Sequence, residues 1–145
     1  MRAIWGKSTN IKEAKKSCLL SISLEPLLPE SHNLLGIVLR KEGDDQAGIQ
    51  ACLKALELNP DYLEAHMNLG HFFFGKNLFA EAAVHYENVI RIDPQYSLAY
   101  NNLAVIFYFE ENFTLSSQYV RKAEDLGFQV HPDFKEQLSS KLKKY

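Results

Sequence analysis

Leu63, His66, Leu69, Gly70 and Phe73 recur at three- and four-residue intervals, so they share one face of a helix predicted from about Tyr62 to Phe74. Asp61, just after Pro60, is placed to cap its start. Gly75-Lys76-Asn77 then breaks the pattern. The same spacing returns in Phe79, Ala82, Ala83, Tyr86, Val89 and Ile90, which predicts a second helix from Phe79 to Ile92. Pro94 prevents its continuation, because it lacks an N–H and pushes Asp93 out of helical geometry.

This two-helix pattern repeats. Pro26, Pro60 and Pro94 stand 34 residues apart, each after a similar helix end. At that offset Glu64 to Gly70 falls on Glu30 to Gly36 and on Leu98 to Ala104. The block Glu81 to Ile90 falls on Glu13 to Ile22, Ala47 to Leu56 and Leu115 to Glu124. A period of a few tens of residues marks an array in which each unit buries its apolar face on its neighbours. Gly43-Asp44-Asp45 and Glu110-Glu111-Asn112 are the turns equivalent to Gly75-Lys76-Asn77. Gly36, Gly70 and Ala104 share one position on the first helices, and Gly48, Ala82 and Ser116 share one on the second. Ala55, Val89 and Ala123 follow two turns later. A helical Gly costs about 1 kcal/mol against Ala, so its recurrence implies that close helix packing is worth more.

These residues resemble the tetratricopeptide repeat family: Leu69-Gly70, Phe73, Ala82, Tyr86 and Pro94 stand where its signature expects them. Gly48 and Cys52 depart from it in one repeat, Ser116 and Val120 in another, and His32 and His66 replace its usual large aromatic, which Tyr100 keeps. The resemblance covers about residues 12–128. It implies an all-α fold, a right-handed α-solenoid of antiparallel helix pairs with about three and a half units and a capping helix. The expected boundaries are 1–28 for a partial first repeat, 29–62, 63–96 and 97–130 for full repeats, and 131–145 for the cap, all in one solenoid domain.

The two ends differ from the middle. Gly127 closes the last repeat helix, and Pro132 opens a short amphipathic helix with Phe134, Leu138 and Leu142 on its apolar face. At the start, a second-type helix is expected from about Asn10 to Leu24. Met1 to Ser8 would supply only the end of its partner, with Trp5 in the last turn. That leaves an open edge bearing Leu19 and Leu20, a route to self-association.

Charge and chemistry narrow the function. The net charge is −2, with no basic stripe, so nucleic acid and anionic membrane are not the expected partners. No signal segment or apolar run of membrane length is present, and the expectation is a cytoplasmic chain. Cys18 and Cys52 are again 34 apart, as small apolar fillers on adjacent helices, too distant to bond. The histidines form no His-Glu-x-x-His motif, and Gly75-Lys76 lacks the rest of a phosphate loop. No enzyme activity, metal or cofactor is expected. His32 and His66 read as core imidazoles with one nitrogen satisfied.

The expected function is therefore recognition of another protein, as an adaptor or assembly scaffold. Alternatives are a self-associating scaffold through the N-terminal edge, or the repeat arm of a larger protein or enzyme. In the resembling family the first helix of each pair lines the concave groove. That places Asn33, Ile37 and Arg40, then Met67, Asn68, His71 and Phe74, then Leu98, Asn101, Asn102, Val105 and Tyr108 along it. Asn68 and Asn102 are repeat-equivalent, and an amide offers both a donor and an acceptor to an extended backbone. The expected occupant is a peptide or an amphipathic helix. A chaperone carboxylate clamp of the kind one subfamily carries is not expected, because Ile37, Leu98 and Asn102 stand at its other positions.

Overall fold

The computed structural model describes the backbone of residues 2–144 and the side chains of residues 10–144. Among these residues the regular structure is helical: α1 (Arg2–Leu24), α2 (Pro29–Glu42), α3 (Asp45–Leu58), α4 (Leu63–Gly75), α5 (Phe79–Ile92), α6 (Ser97–Phe109), α7 (Phe113–Asp125) and α8 (Pro132–Leu142). Successive helices pack antiparallel within two compact units, Met1–Phe72 and Phe73–Tyr145. In the first, α2 packs on α1 and α3 on α2; in the second, α6 packs on α5, α7 on α6 and α8 on α7.

The small residues mark where paired helices cross. A Cβ added to Gly36 would collide with the Cys52 sulfur and come within 3.0 Å of the Gly48 carbonyl oxygen. One added to Gly48 would lie 2.5 Å from the Phe72 ring and 3.1 Å from the Gly36 oxygen. In the second unit Ala104 and Ser116 hold the corresponding places. The Ser116 hydroxyl donates to the Ala104 carbonyl at 2.6 Å, so a polar residue fits a fully buried crossing.

A second recurring device explains the histidines. His32 Nε2 lies 2.8 Å from the Pro26 carbonyl oxygen, and His66 Nε2 lies 2.9 Å from that of Pro60. Tyr100 donates its hydroxyl to the Pro94 carbonyl at 2.9 Å. A carbonyl only accepts, so both imidazoles carry their proton on Nε2 here. Either side chain spans the same six residues and ties the start of a first helix to the turn before it.

The turns within pairs share one geometry. The amides of Asp44, Leu78 and Asn112 donate to the carbonyls of Leu39, Phe73 and Phe107. Each turn needs a left-handed residue, filled by Gly43 (φ 89°), Asn77 (φ 59°) and Glu111 (φ 61°). Gly and Asn take that conformation readily, whereas Glu carries a Cβ penalty of about 1–2 kcal/mol. Asp44 and Asn112 then cap the following helix, accepting from the amides of Ala47 and Leu115.

Two expectations about helix limits are corrected. The first helix of the middle repeat starts at Leu63, because the Asn59 side chain accepts the Asp61 amide and Tyr62 supplies the first carbonyl. One 23-residue helix also runs from Arg2 to Leu24, where a turn near Ser8 was expected. Gly6 alone, at about 1 kcal/mol, does not interrupt a segment that is otherwise free of Pro and carries four lysines. The side chains of residues 1–9, including the Trp5 placed there by the sequence reading, lie outside the described residues.

The reading of Leu19 and Leu20 as a face bared by a missing partner helix is also corrected. Their equivalents on α3 are Leu53 and Lys54, and on α7 Arg121 and Lys122. These stay exposed although α2 and α6 pack on their own helices. The position points away from the preceding helix whether or not that helix is there.

The C-terminal cap lies where the sequence put it. Leu138 of α8 joins Tyr100, Ala104, Val120, Ala123 and Val130 in the core of the second unit, and Phe134 packs beside them.

Two substitutions test these devices. Gly36→Leu is expected to destabilise the chain by about 1–3 kcal/mol or more, because backbone on the facing helix cannot move aside. Glu111→Gly is expected to stabilise it by up to about 1 kcal/mol by removing the left-handed Cβ. Urea titration followed by circular dichroism checks both; equal midpoints for all three proteins would contradict both assignments.

Candidate functional site

The expected binding residues divide into a paired, buried set in the first unit and an open set in the second. In the first unit Asn33, Met67 and Asn68 are buried, contrary to the expectation that Asn68 lies on an accessible groove surface. Asn68 Nδ2 donates to Asn33 Oδ1 at 2.9 Å, and the Cys52 thiol points at the same oxygen from 3.8 Å. The sequence argument held that a buried amide would be unpaired and costly. Its partner lies 35 residues away, so the pair forms only once α2 and α4 are folded.

Around this pair Ile37, Arg40 and His71 are half-buried, and Leu34 and Lys41 are exposed. The Arg40 guanidinium lies 5.6 Å from the centre of the Phe72 ring, a cation–π contact. Burial first, and then the Arg40 charge, hold the His71 imidazole below the usual histidine range, which keeps it neutral near pH 7. Burial pushes the Cys52 thiol up to about 12, with the Arg40 charge opposing. Cys18 is likewise buried and raised, and both thiols are free.

In the second unit α6 presents Leu98, Asn101, Asn102, Val105 and Tyr108, all part-exposed, ending at Phe109, which is 55% exposed. Their spacing makes them one stripe of the helix, while Ala99, Tyr100, Leu103, Ala104 and Ile106 face inward. Asn101 Oδ1 and Asn102 Nδ2 are buried atoms without a hydrogen-bond partner. The stripe therefore carries one unmet acceptor and one unmet donor on adjacent residues. The cost of leaving such atoms unpaired is about 1–3 kcal/mol each.

Aromatic rings finish the stripe. Phe74 lies 5.5 Å from Phe79 and 6.2 Å from Phe109, while Phe79 and Phe109 stack at 5.3 Å. Tyr108 meets Phe109, Phe113 and Phe134 edge-on. Packing between rings leaves Phe109 outward without leaving it loose.

The sequence reading missed a shallow cleft of about 350 Å³ bordered by Tyr100, Leu115, Gln118, Tyr119 and Lys122, with the Lys122 ammonium 5.9 Å from the Tyr100 ring centre. The only signal for it was the tyrosine kept at the histidine position of the other repeats.

The two asparagine settings are expected to respond oppositely to truncation. Asn68→Ala leaves the buried Asn33 oxygen without its donor and lowers stability by about 1–3 kcal/mol, whereas Asn102→Ala removes an unmet donor and leaves stability unchanged or higher. Thermal melts of both variants check this; loss of stability in the Asn102 variant would show that its amide is paired. Cys52 ionises near its ordinary 9.0 once unfolded and at about 12 when folded, so its contribution is present below pH 9 and declines as pH rises toward 12. Urea midpoints should fall over that range less steeply in Cys52→Ala than in the native chain.

The fold agrees with known proteins. The tetratricopeptide repeat model matches residues 33–97. Stress-induced-phosphoprotein 1 of Caenorhabditis elegans is 32% identical over 71 residues, which is 49% of this chain and 22% of that protein. The chain thus spans less than a quarter of that relative. Among solved structures, MamA superposes with a TM-score of 0.76 at 24% identity, covering 80% of this chain and 68% of that one. YrrB, described as a TPR protein with an unusual peptide-binding site, superposes at 0.71 and 24% identity over 99% of this chain and 71% of its own. No helix among the described residues is long and apolar enough to cross a membrane. With the 34-residue period, the glycine crossings and the proline latches in place, the chain belongs to the tetratricopeptide repeat family.

Proposed function

We propose that this chain is a non-catalytic interaction module that binds an extended peptide or an amphipathic helix of a partner protein, as an adaptor or assembly scaffold. The observation that carries this reading is the α6 stripe. It combines an unmet acceptor, Asn101 Oδ1, and an unmet donor, Asn102 Nδ2, with apolar contacts from Leu98, Val105 and Tyr108. A peptide backbone offers one N–H and one C=O at every residue and meets both needs once the two part-exposed side chains turn outward. The exposed Phe109 ring, fixed by its neighbours, offers an aromatic anchor at little cost in conformational entropy.

Asn33, Met67 and Asn68 act in this reading as supports that hold the α2 and α4 faces, rather than as contacts. Ile37, Arg40 and His71 add part-exposed surface in the first unit, and Phe74 backs the aromatic end of the stripe in the second. The peptide-binding site named for YrrB supports the class of ligand but not its sequence. Neither a cofactor nor a metal has a role.

Peptide display against the folded chain, followed by calorimetry on the selected peptides, tests the reading. Asn101→Ala with Asn102→Ala is expected to weaken binding by about tenfold to a hundredfold, with no loss of melting temperature. Phe109→Ala is expected to weaken it by about tenfold or more. Selected peptides that bind both variants as tightly as the native chain would remove α6 as the site.

A further inference from the structure

Among the large apolar side chains of the described residues the three most exposed, Leu20, Leu24 and Leu27, lie at and just beyond the end of α1, with the less exposed Leu19 beside them. Leu19, Leu20, Leu24 and Leu27 are 49%, 61%, 73% and 75% exposed. The repeat supplies an internal control for this patch. The place of Leu20 is taken by Lys54, Asn88 and Lys122 in the other units, and that of Leu27 by Asp61, Gln95 and Gln129. Glu87 and Arg121 stand at two of the three equivalents of Leu19. Leucine thus stands at the Leu20 and Leu27 positions in this unit only, whereas the Leu19 position keeps a leucine at Leu53 and the Leu24 position is apolar in every unit, as Leu58, Ile92 and Leu126.

The charges at its ends indicate the occupant. Lys12, Lys16, Leu20 and Leu24 follow one another at four-residue spacing and form one stripe of α1. Lys12 and Lys16 thus extend the patch at its N-terminal end, with Glu13 beside them, and all three are exposed or nearly so. Glu25 and Glu30, both exposed, lie beyond its other end. Lys12, Lys16, Glu25 and Glu30 have no ion-pair partner among the described residues, whereas the neighbouring Lys15 is held by Glu42 at 2.8 Å. A face with lysines at one end, leucines in the middle and glutamates at the other is complementary to itself when turned end for end. An antiparallel two-fold arrangement about Leu20 sets the leucines of two copies together and brings the lysine end of each toward the glutamate end of the other. A parallel arrangement would oppose like charges.

We propose that α1 forms a two-fold interface with a second copy of this chain through Leu19, Leu20, Leu24 and Leu27, oriented by Lys16 and Glu25. Such an interface is isologous and closes at two copies. It is independent of the peptide-binding reading.

Sedimentation equilibrium of the whole chain from low to high micromolar concentration tests it. The native chain is expected to populate a dimer. Leu20→Lys with Leu27→Gln, each the residue type found at the equivalent position of other repeats, is expected to raise the dimer dissociation constant by about tenfold or more with the melting profile retained. Lys16→Glu is expected to weaken the dimer several-fold, and Lys16→Glu with Glu25→Lys to restore it. A native chain that stays monomeric throughout overturns the proposal. So does a dimer that persists in the folded Leu20/Leu27 variant. If Lys16→Glu leaves the dimer unchanged, or the double reversal fails to restore it, the orientation is wrong.

Discussion

Backbone-to-backbone approach at the helix crossings is the constraint on which the rest depends. At Gly36 and Gly48 the two helices come so close that a single added carbon would meet a carbonyl oxygen across the crossing. At Ala104 and Ser116 the same closeness is turned to use, because the serine hydroxyl reaches the facing carbonyl. Dispersion between tightly packed atoms falls off steeply with separation, so widening a crossing forfeits contacts along the whole pair. The crossings fix which side chains of each first helix point inward and which are left for solvent. The open stripe of α6 is what remains once that packing is satisfied.

Polar groups follow the same logic. Each proline stops a helix and leaves its own carbonyl facing the next one, and a His or Tyr six residues later meets it. Imidazole and phenol are interchangeable here because only a donor at the right reach is needed. The Asn33–Asn68 pair extends this to the interior of the first unit, where two amides share one bond and Cys52 packs against them. In the second unit the adjacent asparagines lack that closure, and each leaves one buried atom unpaired on a part-exposed side chain. A pairing made in one unit is thus absent at the equivalent place in the other.

Electrostatics has a modest part within the fold. The ion pairs Lys15–Glu42 and Lys54–Glu57 are exposed, and such pairs are worth about 0–1 kcal/mol. Burial is the larger influence on titration: it holds His71 neutral and keeps the Cys52 thiol protonated far above its ordinary range. In the first unit the half-buried Arg40 lowers both of these groups, so burial and one fixed cation together set their titration.

The sequence by itself determined the helices and their pairing. Period, proline spacing and the three- and four-residue recurrence of apolar positions are local properties, and they located α5 and the start of α8 to the residue. They also identified the small residues at the crossings and the core role of His32 and His66. They did not determine which amides are available. Asn68 and Asn102 are equivalent in the repeat, yet one is paired to a residue 35 positions away and the other is not. Nor did they distinguish the face of α1 that meets a neighbouring helix from the one that bears Leu19 and Leu20. Both depend on which side chains face each other once helices distant in the chain are packed, and a periodic pattern assigns every unit the same answer. Only the tertiary structure decides where neighbouring side chains complete a bond and where they leave one open.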